Sequence, residues 1–81
     1  MSKPQELIPW IAYLRSDPSK QAVIPHAEHL REAREKAPNT LRSALRSKVK
    51  DSDVDVGIVC EGEKVDAAKA RILAQAMGAS A

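Results

Sequence analysis

The stretch DVDVGIVCE, residues 53–61, restricts the fold of this chain more than any other part of the sequence. Its apolar side chains recur at every second position, and most of them are β-branched. This period of two predicts a strand over residues 54–60. The residues that share the apolar face are Val54, Val56, Ile58 and Cys60. Because a lone strand leaves its backbone amides and carbonyls unpaired, a second strand must exist.

Three partners for this strand are open. Residues 46–50, RSKVK, could fold back as a hairpin. The same strand of a second copy or the sheet edge of another protein could also pair with it. The last two alternatives predict a homodimer or a protein complex in which Val54, Val56 and Ile58 bind the partner.

The remaining sequence follows helical periodicity. Leu7, Trp10, Ile11 and Leu14 fall on one helical face, and Pro38 predicts a break between two helices. We expect helices over residues 2–15, 18–37, 40–50 and 63–77. The predicted fold is therefore mainly α with a minor β part. It is one domain over residues 1–81, with about four helices and one short β element before the last helix.

A repeated sequence motif, called the repeated phrase below, lies within the first two of these predicted helices. Gln-x-x-Ile-Pro-x-x-x-x-Leu-Arg occurs at residues 5–15 and again at residues 21–31. The two copies are either related halves of an α-hairpin or a chance similarity in a short, alanine-rich sequence.

The core of the protein must be thin, in the sense that few large apolar side chains are available to fill it. Phe is absent, and Trp10 and Tyr13 are the only aromatic residues. A domain of this size buries only about 60% of its unfolded surface, and the single cysteine, Cys60, excludes an internal disulfide. We expect Cys60 to be buried and inert, and Trp10 to be the main core anchor or else a partner-binding surface residue. The thin core favours self-association.

Charge is unevenly distributed along the chain. Residues 1–50 contain ten Lys/Arg and five Asp/Glu, whereas residues 51–81 contain three and six. A basic stripe lies at the end of the third predicted helix and could contact phosphates. It consists of Arg42, Arg46, Lys48 and Lys50. The acidic stretch that follows, and the lack of nearby aromatic residues for base stacking, count against this role.

The sequence shows no catalytic or metal-binding pattern. His26 and His29 are spaced to share a helical face, but two ligands rarely make a metal site. The stretch DSDVDVG lacks the glycine and glutamate that a calcium-binding EF-hand loop requires. No serine or cysteine triad and no glycine-rich phosphate loop occurs. We therefore expect a protein that is not an enzyme and holds no cofactor or metal.

Two family resemblances are confined to residues 54–77. GIVCEGEKVDAA resembles the first motif of TOPRIM domains, which implies a magnesium-linked glutamate at Glu61, although no Asp-x-Asp follows it. VGIVCEGEKVDAAKARI is similar to the last strand and helix of KH domains, which implies RNA binding, although their Gly-x-x-Gly loop does not occur. Neither resemblance extends over the whole chain.

The function predicted from the sequence is a small non-enzymatic regulatory or adaptor protein that binds a larger protein, as a homodimer. The alternative is a nucleic-acid-binding protein that uses the basic segment 40–50. No membrane association is expected, and the lone cysteine indicates the cytoplasm. The residues expected to bind partners are Trp10, Arg42, Arg46, Lys48, Lys50, Val54, Val56 and Ile58.

Overall fold

The computed structural model describes residues 8–78, which form one antiparallel sheet and two helices. In the sheet, the first strand of the chain lies between the second and the third. The prediction of a mainly helical domain with four helices is therefore wrong, and the fold is α+β. The elements are β1 (Trp10–Leu14), β2 (Gln21–Ile24), α1 (Leu30–Leu45), a 3-10 turn (Asp51–Asp53), β3 (Val54–Ile58) and α2 (Val65–Gly78).

The central strand β1 lies where the sequence predicted the helix 2–15. Residues 2–7 of that predicted helix lie outside the described part of the chain. Within β1, Trp10, Ile11 and Ala12 are all buried, although neighbouring side chains point to opposite faces. A strand that is covered on both faces has a continuous apolar run instead of an alternating one. That run also fits a helical pattern, which explains the error.

The second predicted helix, 18–37, is wrong over its first half. Asp17 N–H donates to the carbonyl of Leu14, and Lys20 N–H donates to the carbonyl of Asp17. These bonds close a turn that leads into β2, which pairs antiparallel with β1. The repeated phrase therefore does not produce related halves, because Pro9 precedes β1 whereas Pro25 follows β2.

Helix α1 continues through Pro38, where the sequence predicted a break. The helix begins after His29, whose side chain accepts a hydrogen bond from the amide of Glu32. Ala33, Ala37 and Leu41 are buried against the sheet on both sides of the proline. This continuous packing stabilises one helix despite the hydrogen bond that proline removes. The third predicted helix, 40–50, is thus the end of α1 followed by a loop.

The larger core cluster lies between α1 and the sheet and is built mainly of small side chains. Trp10 is 7% exposed at its centre, and its indole N–H donates to the carbonyl of Ala27 at 3.0 Å. The prediction that Trp10 anchors the core is confirmed. The buried alanines that pack in this cluster are Ala12, Ala22, Ala27, Ala33 and Ala37.

Helix α2 covers the opposite face of the sheet and confirms the predicted helix over 63–77. It buries Ala68 and Ile72 against Ile11 and Val59. Gly57 lies beneath it, and a Cβ atom at that position would be 2.6 Å from Cδ1 of Ile72. The helix therefore approaches the sheet closely because β3 has no side chain at this point.

The predicted strand 54–60 is confirmed as β3, which ends at Ile58. Its mate is β1, in a register that places Ala12 opposite Val56. None of the three expected partners is the observed one. Residues 46–50 form no strand and instead make up the loop that follows α1.

We expect Trp10→Ala to lower the free energy of unfolding by about 3–5 kcal/mol, because it empties the centre of the larger cluster. Trp10→Phe keeps most of the ring but leaves the carbonyl of Ala27 without its donor, which costs about 1–3 kcal/mol. Urea unfolding followed by circular dichroism measures both changes. Wild-type stability of Trp10→Ala would disprove the burial of this side chain.

We expect Gly57→Ala to destabilise the fold by about 1–3 kcal/mol, because the new methyl group collides with Ile72. Ile72→Val removes Cδ1, the nearer of the two Ile72 atoms that collide with the new methyl group, and keeps Cγ1 at 2.9 Å. This partial relief should make the double variant Gly57→Ala/Ile72→Val more stable than the sum of the single changes predicts. Thermal and urea unfolding of all four proteins provide the cycle. Stabilisation by Gly57→Ala, as expected for an ordinary strand glycine, would contradict the close packing of α2.

Candidate functional site

The candidate site lies where α1 ends and its following loop folds back. Arg46 ends the helix in the left-handed conformation, with φ 52° and ψ 40°. This conformation is costly for a residue with a side chain, and it reverses the chain so that residues 47–50 run beside the last turn. Val49, which is 7% exposed, fixes the loop to the core. Its neighbours Lys48 and Lys50 remain exposed.

These residues surround one open depression on the surface. All four cations that the sequence singled out are brought together there. The lining residues are Arg42, Arg46, Ser47, Lys48, Val49 and Lys50. Val49 is the only one of them with an apolar side chain, and the two arginines and two lysines give the depression a positive charge.

Arg42 differs from the other three cations because its guanidinium forms hydrogen bonds with other residues of the chain. Its guanidinium donates to the carbonyl of Val49 at 2.8 Å, to a carboxylate oxygen of Asp51 at 2.7 Å and to Asn39 Oδ1 at 3.1 Å. The bonds to Val49 and Asp51 join the last turn of α1 to the far end of the returning loop. Arg42 therefore holds the loop in place, a role that its position in the sequence did not indicate.

The acidic stretch that follows the loop does not neutralise the remaining cations. The carboxylate of Asp53 accepts hydrogen bonds from the amide and the hydroxyl of Ser16, and Asp55 pairs with Arg15 at 3.6 Å. Within residues 8–78, no carboxylate forms an ion pair with Arg46, Lys48 or Lys50. Of the acidic stretch, only Asp51 pairs with a cation of the depression, Arg42, whereas Asp53 and Asp55 are bound by residues that follow β1.

Asp55 also affects the pKa of Tyr13, the one tyrosine of the chain. Burial, together with the neighbouring Asp55 carboxylate, raises the pKa of Tyr13. Tyr13 lies opposite Asp55 on the face of the sheet that α2 covers. The only two aromatic residues of the chain are thus built into the two core clusters, and neither lies in the basic depression.

A second charged network fixes the loop before α2. Glu63 accepts two hydrogen bonds from Arg71, each at 2.9 Å, and one from the amide of Cys60 at 3.0 Å. Arg71 also donates to the carbonyl of Ile58 at 2.6 Å. The bonds from Arg71, followed by that from Cys60, lower the pKa of Glu63 to about 2. This network joins α2 to the end of β3.

The other residues expected to bind partners are dispersed. Trp10 lies in the core, so its ring offers no surface for a partner. Val54 and Val56 are half-buried against the α1-side cluster, whereas Ile58 is 42% exposed at the opposite end of β3. Of the residues expected to bind partners, the four cations therefore line one depression, and the apolar residues do not line it.

The side chains considered for metal chemistry do not converge. In the part of the chain that the structure describes, no group of three or more His, Cys, Asp or Glu side chains is placed to hold an ion. Cys60 is exposed, so the expectation of a buried thiol is wrong. Glu61 lies in an exposed turn after β3.

None of the helices within residues 8–78 has the length and hydrophobicity needed to cross a membrane.

No protein-family model matches the chain, and comparisons with curated proteins and with solved structures return no match either. The local resemblances to TOPRIM and KH domains are thus limited to a strand, a turn and a helix.

We expect the Glu63–Arg71 pair to stabilise the fold above pH 4.5 and to lose this effect as the pH falls towards 2, because the folded-state pKa lies below the ordinary value of 4.5. Glu63→Gln should therefore lose less stability than the wild-type protein between pH 7 and pH 2. Thermal unfolding at a series of pH values measures this difference.

Glu61→Gln is the matched control, because Glu61 is exposed in the same loop and has no ion pair with another described residue. It should retain the wild-type pH dependence. Identical acid profiles for the wild-type protein and Glu63→Gln would contradict the lowered pKa.

Proposed function

We propose that this protein is a non-enzymatic nucleic-acid-binding protein that holds the phosphate backbone through the basic depression at the end of α1. The observation that carries the proposal is the convergence of Arg46, Lys48 and Lys50 without acidic partners among the described residues. Arg42 supports the site by holding the loop that presents the two lysines.

The composition of the depression favours contact with phosphates over recognition of bases. Lys and Arg side chains placed on a surface neutralise phosphates and release counterions, whatever the base sequence. Binding of single strands usually needs aromatic side chains on which bases stack. Because Trp10 is buried and Tyr13 packs under α2, the site lacks such a platform. Duplex nucleic acid is therefore the favoured ligand, with little sequence preference.

The adaptor hypothesis from the sequence depended on an unpaired strand and on the Trp10 surface. The chain uses both of these features internally, since β3 pairs with β1 and Trp10 fills the core. Binding to a larger protein stays a prediction that no observation here tests. The cations of the basic depression are exposed, and they support the nucleic-acid alternative more strongly.

The test measures binding to duplex DNA of mixed sequence as a function of salt. Three free cations that each neutralise one phosphate predict a slope of about −3 in log K against log salt. The double variant Lys48→Gln/Lys50→Gln should bind more weakly and should reduce this slope by about 2. Its matched control is Lys20→Gln/Lys64→Gln, which removes two exposed lysines outside the depression and should change the slope far less.

Arg46→Gly separates binding from stability. Glycine adopts the left-handed conformation of residue 46 without a steric cost, so we expect the free energy of unfolding to rise by about 1 kcal/mol. Binding should weaken nevertheless because a cation is lost. Equal losses of binding in the Lys48/Lys50 variant and in its control, or no binding at low salt, would refute the proposed site.

A further inference from the structure

The two outer edges of the sheet differ in what is already bound to them. On β3, the amide of Val54 donates to the carbonyl of Asp51, and the amide of Val56 donates to the Asp55 side chain. The carbonyl of Ile58 accepts from Arg71. The chain's own groups therefore occupy much of the β3 edge, which makes it a poor place for another strand.

The edge of β2 is open. The amide of Leu14 donates to the carbonyl of Lys20, and Trp10 is opposite Ile24 in the same ladder. Since hydrogen-bonded pairs alternate along an antiparallel ladder, residues 20, 22 and 24 face β1. The backbone groups of Gln21 and Val23 then face outward, and they form no hydrogen bond with another residue in the range 8–78.

The side of α1 that borders this edge carries fewer charged side chains than the outer side of the helix. The outer side of the helix is strongly charged, with residues such as Arg31, Arg34 and Glu35 exposed. Beside residues 21–23 of β2, by contrast, the helix presents only uncharged side chains. Its charged residues Glu35 and Lys36 lie further along, beside Ile24 at the end of the strand. The residues of α1 that form this border are Asn39, Thr40, Ser43 and Ala44, and Lys69 of α2 lies on the other side of the edge.

We propose that the β2 edge binds the β2 edge of a second copy of this chain, in an antiparallel arrangement about a two-fold axis at Ala22. This inference does not depend on nucleic-acid binding. The axis places Gln21 of each copy opposite Val23 of the other. Both residues present outward backbone groups, so each of the two pairs can exchange two hydrogen bonds. The two three-stranded sheets become one continuous sheet of six strands.

A second copy fits this edge better than an unrelated peptide because the edge is complementary to itself. Its two outward-facing residues lie symmetrically on either side of Ala22, as an isologous contact requires. Ala22 would face its own equivalent across the axis, and its short side chain is buried beneath α1. The uncharged border of α1 would meet the same border of the other helix, where like charges would otherwise repel. Pro25 follows β2 and, lacking an amide hydrogen, limits the pairing to this short stretch.

The test combines sedimentation velocity with residue-resolved amide hydrogen exchange over a wide range of protein concentration. We expect the sedimentation coefficient to rise from that of a monomer to that of a dimer. The amides of Gln21 and Val23 should become protected as the dimer forms. The amide of Ala22 is the internal control, because it faces β1 and should be protected at every concentration.

Two substitutions identify the surface involved. Ala44→Glu places a charge in the uncharged border and should abolish both the dimer and the protection of Gln21 and Val23. Ala70→Glu is the matched control on the exposed outer side of α2 and should leave both unchanged. Circular dichroism verifies that each variant folds.

Three results would overturn the proposal. The first is a monomer at all concentrations. The second is a dimer that Ala70→Glu disrupts and Ala44→Glu does not. The third is a dimer that forms without protection of Gln21 and Val23, because association would then use another surface.

Discussion

The hydrogen bonds along both edges of β1 are the interaction on which the rest of the structure depends. This strand pairs with β2 on one side and with β3 on the other, over registers centred on Ala12. Its side chains simultaneously supply the centre of both core clusters, since Trp10 points towards α1 and Ile11 towards α2. Two helices that do not pack on each other are thus joined through one strand of five residues. In this way a chain with few large apolar side chains builds both core clusters on the two faces of β1.

The same arrangement explains why Asp53 and Asp55 do not pair with the cations that precede them in the sequence. The sheet register brings Asp53 and Asp55 to the residues that follow β1, where Ser16 and Arg15 bind them. The reversal at Arg46 instead turns Lys48 and Lys50, which follow it, towards the end of α1. The sheet pairing therefore keeps two carboxylates of the acidic stretch bound elsewhere, whereas the depression itself is formed by the reversal at Arg46 and by the hydrogen bonds of Arg42.

The sequence predicted β3, α2 and the four cations of the site, because each has a local signal: alternation, an apolar helical face and a basic run. It did not predict β1 and β2, whose apolar residues fit helical spacing equally well. The signals for the hairpin were the turn residues around Pro18, between two apolar runs, and the β-branched pair Val23 and Ile24. The continuation of α1 through Pro38 could not be predicted, because it depends on packing of Ala33 and Leu41 against a sheet that local patterns do not reveal. The role of Arg42 likewise depends on a loop whose path only the fold determines.

The pairing of β1 with both neighbours is tested most directly by nuclear Overhauser contacts between α-protons across the sheet. Non-hydrogen-bonded antiparallel pairs bring their Cα atoms to about 4.5 Å, so strong contacts should join Ala12 to Val56 and Ile11 to Val23. Both pairs must be present for β1 to be the central strand. Helical contacts between residues three apart within 10–14, in place of these cross-strand contacts, would contradict the fold.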